Sequence, residues 1–434
     1  MFDVLPLPIE FLIPDGTSTP FAQQGSSSKI PQGAFVSGAL AALKANNLTA
    51  LHVDDQPKRN YVMQWNLNVQ RELGGGLTAL VGYVGSHGVH QPVKPEDANV
   101  VLPTMTSAGY LWPQIDAFGN QLTGPNAGSP APPVNPNFGD IRGAFFEGSS
   151  SYDALQAGIQ KRMAHGIQVQ TSFTWGRSID TSSSSGVGDT FSNSIASPLW
   201  FDMKAERGLS DFNVSKTLVI NGTWEVPTAK SLKGPASWVA NGWELGVIFK
   251  ASDGVPFTPT FGTDGDPQGL NSSDPWAFPD RLGGSGCSTL TNPGNPNNYI
   301  KTQCFAVPTA PNVAFYNANC DPGFGSANPQ DPTYLQCFNL RGNGGRNILI
   351  GPGEVNLDFS VFKNNRVPRI SETFNAQFRA EFFNVLNHAN FSVPVTPDNT
   401  DIFDSTGAAS GGAGLLTSTT TTAREIQFAL KISW

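Results

Sequence analysis

The last twelve residues, "AREIQFALKISW" (Ala423–Trp434), alternate without a break. Ile426, Phe428, Leu430, Ile432 and Trp434 fall on one side, and Glu425, Gln427, Ala429, Lys431 and Ser433 on the other. That is the period-2 pattern of a strand with two unlike faces. Chain ends usually fray and are seldom apolar, so a terminal strand closing on a tryptophan needs an apolar environment.

The same pattern recurs upstream. Tyr61–Leu73, Leu77–Gly85, Tyr152–Arg162, Ile167–Trp175, Lys216–Val226, Trp243–Ala251, Val355–Lys363 and Phe374–Leu386 each alternate, which with the closing segment makes nine windows. Ile167–Trp175 is the cleanest: Ile167, Val169, Phe173 and Trp175 oppose Gln168, Gln170, Ser172 and Thr174. The windows run about 9 to 13 residues. Strands of soluble proteins average about 5–6, whereas a strand tilted across a bilayer needs about 9–11. Tyr61, Trp175, Trp224, Trp243 and Trp434 lie near window ends, where an interfacial aromatic girdle would be.

The connections alternate in length. Leu73 to Leu77, Arg162 to Ile167 and Lys363 to Phe374 are short, and Val226 to Trp243 is moderate. Gly85 to Tyr152, Trp175 to Lys216, Ala251 to Val355 and Leu386 to Ala423 are long. Short turns at one end and long loops at the other are the topology of an outer-membrane barrel, with its turns in the periplasm. The fold class read from the sequence is therefore all-β: an antiparallel transmembrane β-barrel, its C-terminal part of about 9–12 strands, with long extracellular loops. Nine strands is an odd count, while single-chain bacterial barrels have an even one. The expectation is that barrel strands precede this chain, that residues 1–60 are an extracellular loop-like segment, and that residues 61–434 are barrel, with a long loop over 252–354.

Composition fits. Charged residues are 14 % of the 434, against roughly 25 % in ordinary soluble domains. Glycine (46), proline (34) and uncharged polar residues take their place, which suits turns and polar strand faces rather than helices. The net charge is −8 and no basic stripe offers nucleic acid a footprint. No apolar run is long enough for a transmembrane helix. The opening "MFDVLPLPIEFLIPDG" has no basic start and its apolar run is broken by prolines, so it does not read as a signal peptide.

Several blocks resemble one family. "YVMQWNLNVQRELGGGLTALVGYVGSHG", "SSYDALQAGIQKRMAHGIQVQTSFTWGRSID", "ERGLSDFNVSKTLVINGTWEVP", "GWELGVIFKASDGVPFT", "RNILIGPGEVNLDFSVFKNNRV", "FNAQFRAEFFNVLNHANF" and "REIQFALKISW" are similar, in the same order, to the Oar-like TonB-dependent receptors of the Gram-negative outer membrane. The resemblance covers most of residues 55–434 and leaves out the loops. It implies a plugged barrel of about 22 strands that takes up a nutrient (a saccharide, peptide or metal chelate) using energy from the TonB complex. It implies outer-membrane lipid and the barrel-assembly machinery as partners, with Phe428, Leu430, Ile432 and Trp434 as the C-terminal assembly signal. The TonB complex would be reached only through an N-terminal region that this chain lacks, along with the plug. A surface structural or adhesion barrel and a small passive porin are the rival readings.

Candidate site residues are few. Asn375, Gln377, Arg379 and Glu381 share the polar side of their window and are expected to face the lumen, as are Asp358 and Arg162. Cys287, Cys304, Cys320 and Cys337 are candidate disulfides. Neighbour pairing would close two loops of about 17 residues, each contributing roughly 3 kcal/mol; all three pairings stay open. "DGDPQGLNSSDP" (Asp264–Pro275) is rich in oxygen ligands but lacks the calcium-loop spacing. His87 and His90 in "GSHGVH" have no third ligand in view, and "GSGC" and "GNGG" read as turns. No nucleophile elbow is present. No enzyme, metal or cofactor is expected.

Overall fold

The computed structural model describes residues 50–434 except 55, 95–97, 100–101, 103, 107–108, 112–140, 184–199, 230, 262–277, 308–337, 340–341, 368, 395–398 and 405–407. Nine long strands form one antiparallel meander: β1 (Tyr61–Gly74), β2 (Leu77–Val93), β3 (Ile141–Ala164), β4 (Ile167–Asp180), β5 (Lys216–Glu225), β6 (Trp243–Ser252), β7 (Glu354–Arg366), β8 (Asn375–Phe383) and β9 (Glu425–Ser433). Each pairs only with its sequence neighbours along this path. All nine windows read from the alternation are strands. β2 and β3 are longer than their windows, running on to Val93 and back to Ile141.

The register sorts side chains into two faces. One row crosses Leu67, Tyr83, Leu155 and Trp175. A second crosses Val247, Phe359, Phe382 and Ile426. Opposite residues point to the same side of a sheet, so these rows build one continuous apolar face. Its members are exposed: Leu67 is 69 % accessible and Phe428 65 %. A soluble protein would bury such a face; a barrel gives it to lipid. The other face carries rows such as Thr78–Gln160–Gln170 and Ser360–Glu381–Gln427.

The turns gather at one end and the long connections at the other. His165 (φ 54°) and Gly166 (φ 75°) close the β3–β4 turn. The longest turn, between β5 and β6, contains the short helix α1 (Pro235–Ala240). Lys363 of β7 pins it, donating to the Asn241 carbonyl at 2.6 Å, with its ammonium 5.7 and 5.6 Å from the Trp238 and Trp243 ring centres.

The loop end has its own core. Phe257, Leu290, Tyr299, Ile300, Cys304, Phe305, Leu349 and Ile402 are buried together. Pro256–Phe257 pairs with Leu349–Ile350, Asp280–Arg281 with Phe305–Ala306, and Thr260–Phe261 with Asp401–Phe403. The aperiodic stretch 252–354 is thus partly folded, and it shares its core with the β8–β9 connection.

Among the described residues β1 and β9 are the two edges of the sheet and do not pair with each other. The short strand Ala50–Val53 adds parallel to Ile141–Ala144 above the meander and is not a further spanning strand. Residues 1–49, Asp264–Pro275, Cys320 and Cys337 lie outside the described residues, so the extracellular reading of the N-terminal segment, the oxygen-rich loop and a second disulfide have no structural counterpart there.

Candidate functional site

The polar face of the meander, together with the loop-end cap above it, is the candidate site. Alternation dictates it: each strand that gives lipid an apolar side chain turns the next one inward. On β8 the four expected residues do share this face. Asn375 and Gln377 both donate to Asn364 Oδ1, at 3.0 and 2.9 Å. Arg379 Nε donates to Gln377 Oε1 at 2.7 Å, and its guanidinium sits 5.4 Å from the Phe362 ring centre. Glu381 lies between Ser360 and Gln427. Asp358 accepts from Asn384 N at 2.8 Å and from Asn356 at 2.9 Å. These contacts make a hydrogen-bonded polar wall, and nothing in it sets up an acid–base pair.

The inner face is not uniform. On β6–β9 it carries charges along its length: Lys250, paired with Glu354 at 2.7 Å, then Asp358, Arg379, Glu381 and Lys431. On β1–β5 the charges Glu72, Arg162 and Glu225 lie toward the turn end, and amides and hydroxyls, with Leu80 and Val84, fill the middle. A depression of about 310 Å³ lies in that uncharged middle, lined by Gly158 among others. A second hollow, about 600 Å³, opens at the turn end beside α1.

The cap is held down by one buried cation that the sequence reading missed. Arg346 is 3 % exposed. It donates to the carbonyls of Asp180 (2.7 Å) and Glu206 (2.9 Å), to Ser183 Oγ (3.3 Å), to Asp211 Oδ1 (3.1 Å) and to the Asp180 carboxylate. Both carboxylates are at most 5 % exposed. Its neighbour Asn347 donates through its side chain to Asp211 Oδ1 and to the Leu209 carbonyl, both at 2.6 Å, and through its backbone N–H to Thr258 Oγ1 at 2.9 Å. The stretch "GNGG" just before it is more than a turn: a Cβ on Gly342 would fall 1.9 Å from the Phe278 carbonyl oxygen.

Cys287 and Cys304 are joined, with Cα atoms 5.5 Å apart. The disulfide edges the cap core. Tyr299 donates to the Ile350 carbonyl at 3.0 Å, and burial pushes its phenol up to about 12. His87 and His90 fall inside β2, beside its bulge, rather than past its end, and His90 Nδ1 lies 3.2 Å from the Arg59 carbonyl. No group of three metal-ligating side chains occurs among the described residues. Phe428, Leu430 and Ile432 lie on the apolar face of the edge strand, and Trp434 follows it, fully open.

A sequence profile of the outer membrane beta barrel domain matches residues 10–427. The chain belongs to this family. As an outer membrane beta barrel domain its place is the outer membrane, its apolar face against lipid and its polar face inward. No curated protein matches it. Among solved structures it is similar to the outer membrane transporter YddB from Escherichia coli, at 11 % identity and a TM-score of 0.37, over 91 % of this chain and 36 % of that one. It is also similar to the FrpB iron transporter from Neisseria meningitidis (F3-3 variant), at 10 % identity and a TM-score of 0.32, over 88 % of this chain and 32 % of that one. The barrel domain spans about a third of the length of those transporters.

Proposed function

We propose that this barrel domain is part of an outer-membrane receptor of the TonB-dependent, Oar-like type that takes up a nutrient through the barrel. The observation that carries the reading is the inner face: nine strands turn a mostly polar surface toward one side, under loops folded into a cap. A barrel serving only as an anchor has no use for a capped polar interior. Other support comes from the ordered sequence blocks, which run across the strands of the meander. In this reading the turns are periplasmic, the cap faces outward, and the C-terminal strand with Phe428, Leu430, Ile432 and Trp434 is read by the assembly machinery. The edges of β1 and β9 bear unpaired backbone groups that lipid cannot satisfy, so further strands would close the sheet. Energy would come from the TonB complex through a region outside the meander.

The test is uptake by cells that express the protein from its native locus. Accumulation of a nutrient that stops on deletion of the gene, and on collapse of the inner-membrane proton gradient, is expected. Accumulation that survives such collapse points to a passive porin. A deletion that changes cell-surface adhesion and no uptake points to the structural reading.

A further inference from the structure

We propose that the β1–β5 half of the inner wall carries a binding site for a neutral, hydroxyl-rich solute such as an oligosaccharide, centred on Gly158; this rests on the uptake reading. Three observations support it. First, the inward-facing side chains around the hollow, Gln70, Thr78, Leu80, Gln156, Gln160, Gln170, Ser172 and Thr174, are uncharged, and the nearest inward charge is the carboxylate of Glu72, opposite Thr78. On β6–β9 charged side chains, Lys250, Asp358, Arg379, Glu381 and Lys431, are spread along the same face.

Second, the uncharged middle is hollowed. The depression of about 310 Å³ is ringed by Gln70, Gln156, Gln160 and Gln170. Gly158 forms its floor, with Leu80 and Ser172 directly opposite it on the neighbouring strands. A Cβ at Gly158 would meet only the Thr171 carbonyl oxygen, at 3.2 Å, so the space above it is open.

Third, those four glutamines make no side-chain hydrogen bond among the described residues, in contrast to Asn375, Gln377 and Arg379 across the barrel. A carboxamide offers two donors and an acceptor. Four of them around a hollow suit vicinal hydroxyl groups, which also both donate and accept. An anionic solute would leave its water for a wall whose nearest charge is the like-signed Glu72, at a cost the amides do not repay. With no aromatic platform in the ring, the affinity is expected to be weak.

The experiment uses the complete receptor that carries this barrel domain, extracted in detergent micelles from the outer membrane of cells that express it. Maltohexaose, an oligogalacturonate of similar length and an oligo-asparagine peptide are titrated by calorimetry and by protein NMR. Maltohexaose should bind, with the oligogalacturonate and the peptide at least about tenfold weaker. Gln156→Leu with Gln170→Leu should weaken maltohexaose roughly tenfold, and Gly158→Leu should fill the floor and abolish binding. Gln156→Leu alone, a milder change, guards against misfolding and should still weaken it. Arg379→Gln on the charged wall should leave it unchanged. Equal or tighter binding of the charged oligomer or the peptide, no binding of maltohexaose, or indifference to the glutamine changes would overturn the proposal. Maltohexaose bound at this site in a protein that imports nothing would overturn the uptake reading instead.

Discussion

Replacing Arg346 by alanine should free the cap while leaving the sheet intact. The side chain ends in five contacts to two segments: Asp180 and Ser183 at and after the end of β4, Glu206 and Asp211 before β5. Truncation strands two carboxylates that are at most 5 % exposed. Breaking a buried ion pair from one side costs about 3–5 kcal/mol, because the remaining charge keeps its desolvation penalty. Opening of the cap should become about 150- to 5,000-fold more frequent. Amide hydrogen exchange reads this directly. Asn347 N–H, bonded to Thr258, and Asp211 N–H, bonded to Ser183, should exchange faster by that factor. Val361 and Ala380, paired in the middle of β7 and β8, should not change. A triple change, Arg346→Met with Asp180→Asn and Asp211→Asn, removes the three paired charges and should restore most of the protection. Acceleration below about tenfold, or equal acceleration at Val361, would refute the idea that this cation holds the cap.

Other substitutions separate the two faces and the two ends. Phe428→Arg places a charge on the lipid face of β9 and should cost about 2–4 kcal/mol of insertion free energy, whereas Ala429→Arg on the inner face should cost far less; folding titrations into vesicles distinguish them. Cys287→Ser with Cys304→Ser should destabilise the cap by roughly 3 kcal/mol, seen as faster proteolysis of the loops with unchanged strand circular dichroism. The Tyr299 phenol is raised from 10.0 to about 12, so its contribution is complete below pH 10 and is lost as pH rises through 12. An ultraviolet difference titration against Tyr299→Phe should show this one tyrosine ionising late, with the cap loosening only then; ionisation near 10 would contradict its burial.

The meander was legible because lipid and water impose opposite demands on neighbouring residues. Ile167, Val169, Phe173 and Trp175 could not be polar and Gln168 and Gln170 could not be greasy, so the alternation survives in the sequence. It ends where lipid ends. β2 continues past Gly85 to Val93 and β3 starts back at Ile141, well before Tyr152, but no solvent boundary runs along those extensions to enforce a pattern. The cap was illegible for another reason. Its bonds join residues far apart in sequence: Thr260 to Thr400 and Asp401, and Arg346 to Asp180. Arg346 looked like any loop arginine because its partners lie about 135–165 residues away. A hint existed in "GNGGRN", where glycines crowd before one cation, but it points to a close approach without saying to what.

The cap's attachment restricts how it can act. Its neck is the pair of chain segments that leave β6 and enter β7. There the backbones touch: a Cβ on Gly254 would lie 2.0 Å from the Gly351 carbonyl oxygen, and one on Gly353 2.5 Å from that of Ser252. Pro256–Phe257 and Leu349–Ile350 pair just above. Two strands crossing without side chains between them cannot hinge freely, since any swing must break that pairing first. The β8–β9 connection adds a second tie through Val355, whose backbone exchanges hydrogen bonds with Asn390 at 2.8 and 3.1 Å. Rigid-body opening at the neck is therefore disfavoured. The separable contact is the lateral one, where Arg346 meets the β4–β5 connection, since it consists of side-chain bonds to carbonyls and carboxylates rather than a shared sheet. If solute enters past the cap, the connection that yields is the β4–β5 loop moving away from Arg346, with the disulfide-braced core standing still. Cross-linking Ser183→Cys to Asn347→Cys, neighbours of that contact, should then slow solute entry. An equivalent link across the neck, Asp253→Cys to Pro352→Cys, should leave entry unchanged.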